Sequence, residues 1–585
     1  MLYGYPGEIV TVRTSDSITK AKLRQLLKAQ RILRHALSSE KYISSNALRV
    51  ALCLLAALLM ACQHLIYSSP SAGHDAQRYR IYHASGLRKG VYNYTYGLYY
   101  WGLFPVYSTY ELNLGGPDKY NKDFARNLLV ERGETLRMEY EHEIRFGEYF
   151  KFYLPYLASL VAGRPVKQEI GTINTFFFLF ALFLILLEFY RCGRPVTGVF
   201  VSLLVSSSEF QALQLRDNSF SYVITAAAFT IAMMAPFIFG RRMNPLWIAV
   251  RLAVASFFII FCGNVRSTAL SMVLGPPIVL LFYRRQQLRW KAVLLLSYFA
   301  IFAAVQKGVQ AYFDYKIGQA RNFVEAVGGV PYYGESLTTH PFWHPIWCGL
   351  ADFDTKYKRE WEDGEAFSKA VPELKKRGWE SPRGDLTHGD KYLLSTSPEY
   401  ERVMRDFVIA DIRNDPMWYL DIIAKRIKKT LTEWQEPRLD LFFCRLPLPY
   451  SFWPYLVGAI VLLVLGMWSE IKLLMLTVPT ATLAIVITTY TNGHYYFIAH
   501  LVCAGTVLAC AANGIASSAA RLVLRRREAV PFSGNDTGAP LVDRDGSSDL
   551  SIAPPVRNAA DHASHSGPID HADGQEFFAK SEDEK

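Results

Sequence analysis

Residues 171–194 read GTINTFFFLFALFLILLEFYRCGR. This is an apolar run of about twenty residues, enough for a helix to cross roughly 30 Å of hydrocarbon, and it is closed by Arg191 and Arg194. The same pattern repeats outward in both directions. Apolar runs lie near 46–67, 195–215, 218–240, 246–263, 267–283, 291–309, 451–469, 471–490 and 494–513. With 171–190 they make about ten spans by the length criterion. The sequence therefore reads as an all-α integral membrane protein.

Charge sets the sidedness. Arg191 and Arg194, Arg241 and Arg242, Arg284 to Lys291, Lys472 and Arg521 to Arg527 all fall on one side if the runs alternate, as does the basic N-terminus. The positive-inside rule makes that side cytoplasmic, with both termini on it. Segments of about 68–170 and 310–450 then form two large non-cytoplasmic loops, joined there by tight turns around 216–218, 263–266 and 492–494. Tyr149–Ala162 is interrupted by Pro155 and too short to span, so it reads as an interfacial helix.

Three regions follow. Residues 1–45 are a basic amphipathic cytoplasmic segment, with Leu23, Leu26, Leu27, Ile32 and Leu33 among Lys20, Lys22, Arg24, Lys28, Arg31 and Arg34. A solvated arm that fixes orientation is the alternative. Residues 46–515 form the membrane domain, whose first run reads as an uncleaved span. Residues 516–585 turn to Gly, Ser, Asp, Pro and His after Arg527 and are expected to be a disordered cytoplasmic tail. The formal charge of +11 is spread over short connections between apolar runs, which argues for lipid headgroups and against nucleic acid. None of the eight cysteines falls in a CxxC or Cys/His ligand spacing; Cys348 and Cys444 share the second outer loop and can be a disulfide or two unrelated thiols.

Ionisable residues avoid the middle of the runs; Glu188, Glu209 and Arg251 lie toward their ends. The outer ends are polar: Asp75 and Arg78 in GHDAQR, then Arg216-Asp217-Asn218, Asn264 and Arg266, and Asn492, His494 and His500. Asp75 follows the first span closely, as a general base or as a helix cap. Arg266 suits a lipid phosphate or ordinary snorkelling, and His494 suits a phosphate or acceptor contact. In the second loop, THPFWHPIWCGL carries His340 and His344 at i,i+4, but Pro345 cuts the helix and no third ligand is evident, so indoles that stack on a sugar or dip into the interface are the better reading. No metal ligands are assigned; Asp352 and Asp354 leave a divalent metal possible and no cofactor certain.

The first-loop Asp75, the long first outer loop with its interfacial helix, Asp217 on the outer turn and the large loop at 310–450 together resemble the GT-C superfamily of membrane glycosyltransferases. The protein mannosyltransferases and aminoarabinose transferases are the members it looks most like. The resemblance is architectural and covers about 46–515. It implies a GT-C-like bundle, a polyprenyl-phosphate sugar donor, a glycan, lipid or protein acceptor, and a bacterial inner membrane. It also implies catalytic roles for Asp75 and Asp217, with Arg78, Arg216, Arg266, His340, His344 and His494 binding substrate. The sequence lacks the paired acidic residues many members show at these places, and Asn414 to Leu420 with Lys425 and Arg426 looks like the approach to a membrane-skimming helix. A lipid-linked carrier flippase or transporter, or an outer-face polysaccharide polymerase or ligase, are the competing readings.

Overall fold

The structure, a computed structural model, describes residues 24–25, 27–34, 36, 46–68, 98–99, 149–164, 170–207, 222–283, 287–326, 342–379, 398–432, 438–441, 444–447, 453–483 and 497–529. Among them the chain is helical apart from one antiparallel ribbon, β1 (Arg438–Leu441) with β2 (Cys444–Pro447). The apolar runs are helices: α1 (Asn46–Ser68), α3 (Ile170–Arg191), α4 (Pro195–Ser206), α5 (Tyr222–Ile238), α6 (Pro245–Gly263), a 3-10 helix (Ser267–Leu274) continued by α7 (Gly275–Leu281), α8 (Leu288–Ala326), α13 (Trp453–Val464), α14 (Trp468–Leu483) and α15 (Phe497–Ala529). Five of these, α1, α3, α6, α8 and α15, are long and apolar enough to cross a membrane. α2 (Phe150–Ala162) carries Pro155 inside it.

Local sequence explains the helix ends. Pro195 and Pro245 open α4 and α6, where the missing N–H costs nothing, and Asn244 caps α6 by accepting the Trp247 N–H at 2.8 Å. Gly193 and Gly466 turn the chain with φ of 72° and 66°, a backbone region that favours glycine.

α5 is the centre of the bundle. All of its residues are buried, from Tyr222 to Ile238, and it packs against α3, α6, α7, the 3-10 helix and α14. Ala226 to Ala228, Ala232 and Ala235 let those neighbours come close. The bundle's outer faces are apolar instead: Leu54, Leu58, Phe176, Phe180, Leu246 and Leu296 are exposed. Surfaces of that kind belong against lipid tails, where no hydrogen-bonding group is needed.

Cytoplasmic-side features predicted from charge gather at one end. The Glu188 carboxylate pairs with Arg251 at 2.6 Å and Arg191 at 2.9 Å, and Arg194 pairs with Glu470 at 3.4 Å. Arg241 donates to the Arg191 carbonyl at 3.2 Å and Tyr283 to the Arg241 carbonyl at 3.1 Å. The N-terminal segment joins this end, since Gln30 donates to the Val464 carbonyl and Ser517 to the Ala36 carbonyl. At the opposite end lie other pairs: Ser207 with Gln63 at 3.1 Å, Tyr222 with Asn174 at 2.6 Å, and Phe150 N–H with the Asn264 carbonyl at 3.0 Å.

Two boundaries are corrected. The seventh run does not stop at 309, because α8, 39 residues in all, runs on to Ala326. No proline or helix-ending glycine stops it, and Gln310 with Asp314 and Tyr315 with Gln319 are i,i+4 hydrogen bonds along its polar half. At about 58 Å it is nearly twice the thickness of the hydrocarbon, so part of the second loop is a helical stalk. The sixth run is not one α-helix, because Ser267–Leu274 is wound as a 3-10 helix before Pro276 and Pro277 reset it. Of the expected tail at 516–585, residues 516–529 are instead the helical end of α15, which runs to Ala529; residues 530–585 and Glu209 lie outside the described residues.

Glycines show where helices touch by backbone. A Cβ at Gly505 of α15 would lie 2.9 Å from the backbone of Val201 in α4, whereas one at Gly308 of α8 would meet nothing within 4 Å. Gly505→Ala is therefore expected to destabilise the detergent-purified protein by about 1–3 kcal/mol. Gly308→Ala should raise stability by about 0.5–1 kcal/mol, read from thermal midpoints of the two variants.

Candidate functional site

Residues 343–432, within the segment expected as the second outer loop, include a helical module with its own core. It comprises α9 (Trp343–Gly349), α10 (Asp363–Lys376), α11 (Pro398–Asn414) and α12 (Pro416–Thr432), packed around Trp347, Phe367, Tyr400, Met404, Trp418 and Ile422. Acidic residues in the first turn and basic ones in the last favour α10 and α11. Asp415 caps α12 by accepting the Trp418 N–H at 3.1 Å, with Pro416 opening the helix.

Arg426 is the module's buried charge. It is fully enclosed, its Nε lies 3.2 Å from Asp352 Oδ2, and its guanidinium donates to the Gly349 carbonyl. This ties α12 to the end of α9. Asp354, two residues on, does something different: it accepts N–H groups from Lys356 at 2.9 Å, Tyr357 at 3.0 Å and Arg359 at 3.3 Å, and the Trp418 indole N–H at 3.0 Å. Burial pushes its carboxyl up, but these four donors outweigh it and hold it below the usual aspartate range. The loop they fix holds Phe353 and Lys358 at positive φ, 59° and 52°. Asp352 and Asp354 are thus each committed to a separate structural task and do not form a metal-holding pair.

His344 stands at the meeting of three helices. Its ring stacks on Phe367 of α10, with centroids 5.4 Å apart, and its Nδ1 lies 2.6 Å from the Tyr400 hydroxyl of α11. Nε2 lies 3.1 Å from Asp363 Oδ1 and 3.8 Å from Cys348 Sγ. Glu401 receives the Trp343 N–H at 3.0 Å and so holds the start of α9; burial raises its carboxyl against the backbone donors around it. Burial, then the charges of Asp363 and Glu365, push the Cys348 thiol up to about 12, so on its own it is a neutral thiol rather than a nucleophile. It is a free cysteine.

These contacts revise the reading of the motif. Pro345 does not prevent the helix, because it sits in the first turn of α9, where no N–H partner is lost. Two further potential ligands stand beside His344, Cys348 one turn along and Asp363 from the next helix. The i,i+4 signal HPIWC was present in the sequence, but the spacing to Asp363 carried none. Trp347 is a core residue, 2% exposed, and not a sugar platform.

Of the other candidates, Arg266 is half-buried in the extended link between α6 and the 3-10 helix. Neighbouring Asn264 holds α2, whose Tyr149, Phe150 and Tyr153 pack on Phe313 of α8. Asp75, Arg78, Arg216, Asp217, His340 and His494 lie outside the described residues. α12 buries Trp418, Ile422 and Arg426 on one face and exposes Met417, Leu420, Ala424 and Ile427 at i, i+3, i+7 and i+10 on another. Lys428 lies beside that stripe, Lys425 pairs with Asp421 at 2.6 Å, and Lys429 lies over the Phe353 ring at 5.2 Å. Comparison with known protein families, with curated proteins and with solved structures finds no match for the chain.

The two aspartates should separate cleanly on mutation. Asp352→Ala strands the buried Arg426 and is expected to cost about 3–5 kcal/mol. Asp354→Asn keeps an acceptor and is expected to cost about 1–2 kcal/mol near neutral pH. Because the Asp354 carboxyl is held low in the folded state, its contribution is complete above about pH 4 and is lost as pH falls through the folded value. The gap in thermal midpoint between wild type and Asp354→Asn should therefore close only in acid.

Proposed function

We propose that this chain is a membrane glycosyltransferase of GT-C type, moving a sugar from a polyprenyl-phosphate donor to a glycan, lipid or protein acceptor at the non-cytoplasmic face of a bacterial inner membrane. One observation carries the reading: the distribution of polar groups along the bundle. Glu188, Arg251, Arg194 and Glu470 are gathered in pairs at one end, and α5 at the centre has no ionisable side chain except that of Tyr222. An ion-coupled transporter or flippase for charged carriers places ionisable groups along its path near the midplane, and the interrupted run 267–281 beside α5 carries none. The hydrogen-bonding residues at the other end, with the exposed module and its basic α12, favour chemistry at a membrane surface.

In this reading Asp75 accepts the proton of the acceptor hydroxyl as that oxygen bonds to the anomeric carbon. The bond from that carbon to the phosphate oxygen breaks, and the phosphate leaves with its electrons. Arg78, Arg216, Arg266 and His494 neutralise the charge that develops there, and Asp217 completes the acidic side of the site. Attack from the face opposite the leaving group inverts the sugar. His344 is assigned to positioning the module, since both ring nitrogens have protein partners.

Purified wild type and Asp75→Asn would be compared for transfer from a polyprenyl-phosphate sugar. A loss of about 10²–10⁴-fold in turnover is expected for the variant. Undiminished turnover removes Asp75 from the mechanism.

A further inference from the structure

Outside the bundle, His344, Cys348 and Asp363 bring one nitrogen, one sulfur and one oxygen donor within 4.8 Å of one another. We propose that these residues form a three-ligand site for a borderline-soft divalent ion of the zinc class, with water from the exposed side as fourth ligand.

Geometry supports it first. Bonds of about 2.0–2.3 Å in a tetrahedral site leave donor atoms roughly 3.2–3.8 Å apart. The 3.1 Å from His344 Nε2 to Asp363 Oδ1 and the 3.8 Å to Cys348 Sγ lie close to that range. Two ligands come from one turn of α9 and the third from the first residue of α10, so only small side-chain adjustments are needed.

The surroundings are those of a metal ligand. A histidine that ligates through one nitrogen is oriented by a hydrogen bond at the other, and here the Tyr400 hydroxyl, buried in α11, holds Nδ1. Phe367 stacked on the ring fixes its plane. Access is asymmetric: Cys348 is 1% exposed, whereas the Asp363 side chain is 59% exposed. An ion can enter from the Asp363 side and retain a water there. A mixed N, S, O set with a thiolate selects zinc-like ions over magnesium or calcium, which prefer oxygen. On binding, the Cys348 S–H bond gives way to a metal–sulfur bond and the proton leaves to solvent. This ion would clamp α9 and α10 beside α11, and the proposal does not depend on the activity proposed above.

Cobalt provides a probe that reports the sulfur directly. The tag-free full chain, purified in detergent and stripped with chelator, is titrated with Zn2+ and separately with Co2+. One bound equivalent is expected, with a thiolate-to-cobalt charge-transfer band in the near ultraviolet. That band disappears in Cys348→Ser. Asp363→Asn, a change at an exposed position that leaves the core intact, weakens Zn2+ binding at least about tenfold, and Tyr400→Phe weakens it about 10–100-fold. A folded wild type without the band at saturating Co2+ overturns the site. So does a band that persists in Cys348→Ser, or Zn2+ affinity unchanged in Asp363→Asn.

Discussion

Glu188 is the charge the rest of the bundle depends on. A carboxylate 4% exposed near the end of a membrane helix needs cations close by, and α3 and α6 supply Arg191 and Arg251. Arg194 then reaches across to Glu470, and Arg241 returns to the α3 backbone, so that one cluster draws four helices and their connections together. With the ions concentrated there, α5 carries no charged side chain and packs on small residues, its buried Thr230 hydroxyl donating to the Ala226 carbonyl. The other end is left free of that constraint and is held by neutral hydrogen bonds, Ser207 to Gln63 and Tyr222 to Asn174.

The aqueous module repeats the principle with different residues. Arg426 is enclosed where a hydrophobic side chain would be the simpler choice, and Asp352 with the Gly349 carbonyl compensates it. The pair fixes the start of the loop at 352–359, and Asp354 fixes the remainder through backbone donors and Trp418. With one face of α12 locked inward this way, Met417, Leu420 and Ile427 are turned outward as a continuous apolar stripe. A helix committed to the module core on one side thus carries an exposed apolar stripe on the other.

Much of the fold was legible because membrane helices are written locally. Each apolar run contains a helix, and the connections grouped by charge do share one end of the bundle, since burying a charge in hydrocarbon costs enough to dominate every weaker preference. The end of α8 was less legible. Hydropathy falls after Lys307, but helix formation does not require hydrophobicity, and Gln310 to Arg321 continue the turn pattern. The aspartates of DFD looked alike in sequence and act unalike, because what distinguishes them is the approach of Arg426 to one and Trp418 to the other, from more than sixty residues away.

By itself the sequence determined where the apolar helices form and that the basic connections between them lie together, both consequences of short-range pattern and of the cost of charge in lipid. Only the tertiary structure decided which charges pair, that His344 meets Cys348, Asp363 and Tyr400, and that Trp347 is core. Those outcomes depend on helices distant in sequence arriving at one place, and spacing along the chain carries no record of that meeting.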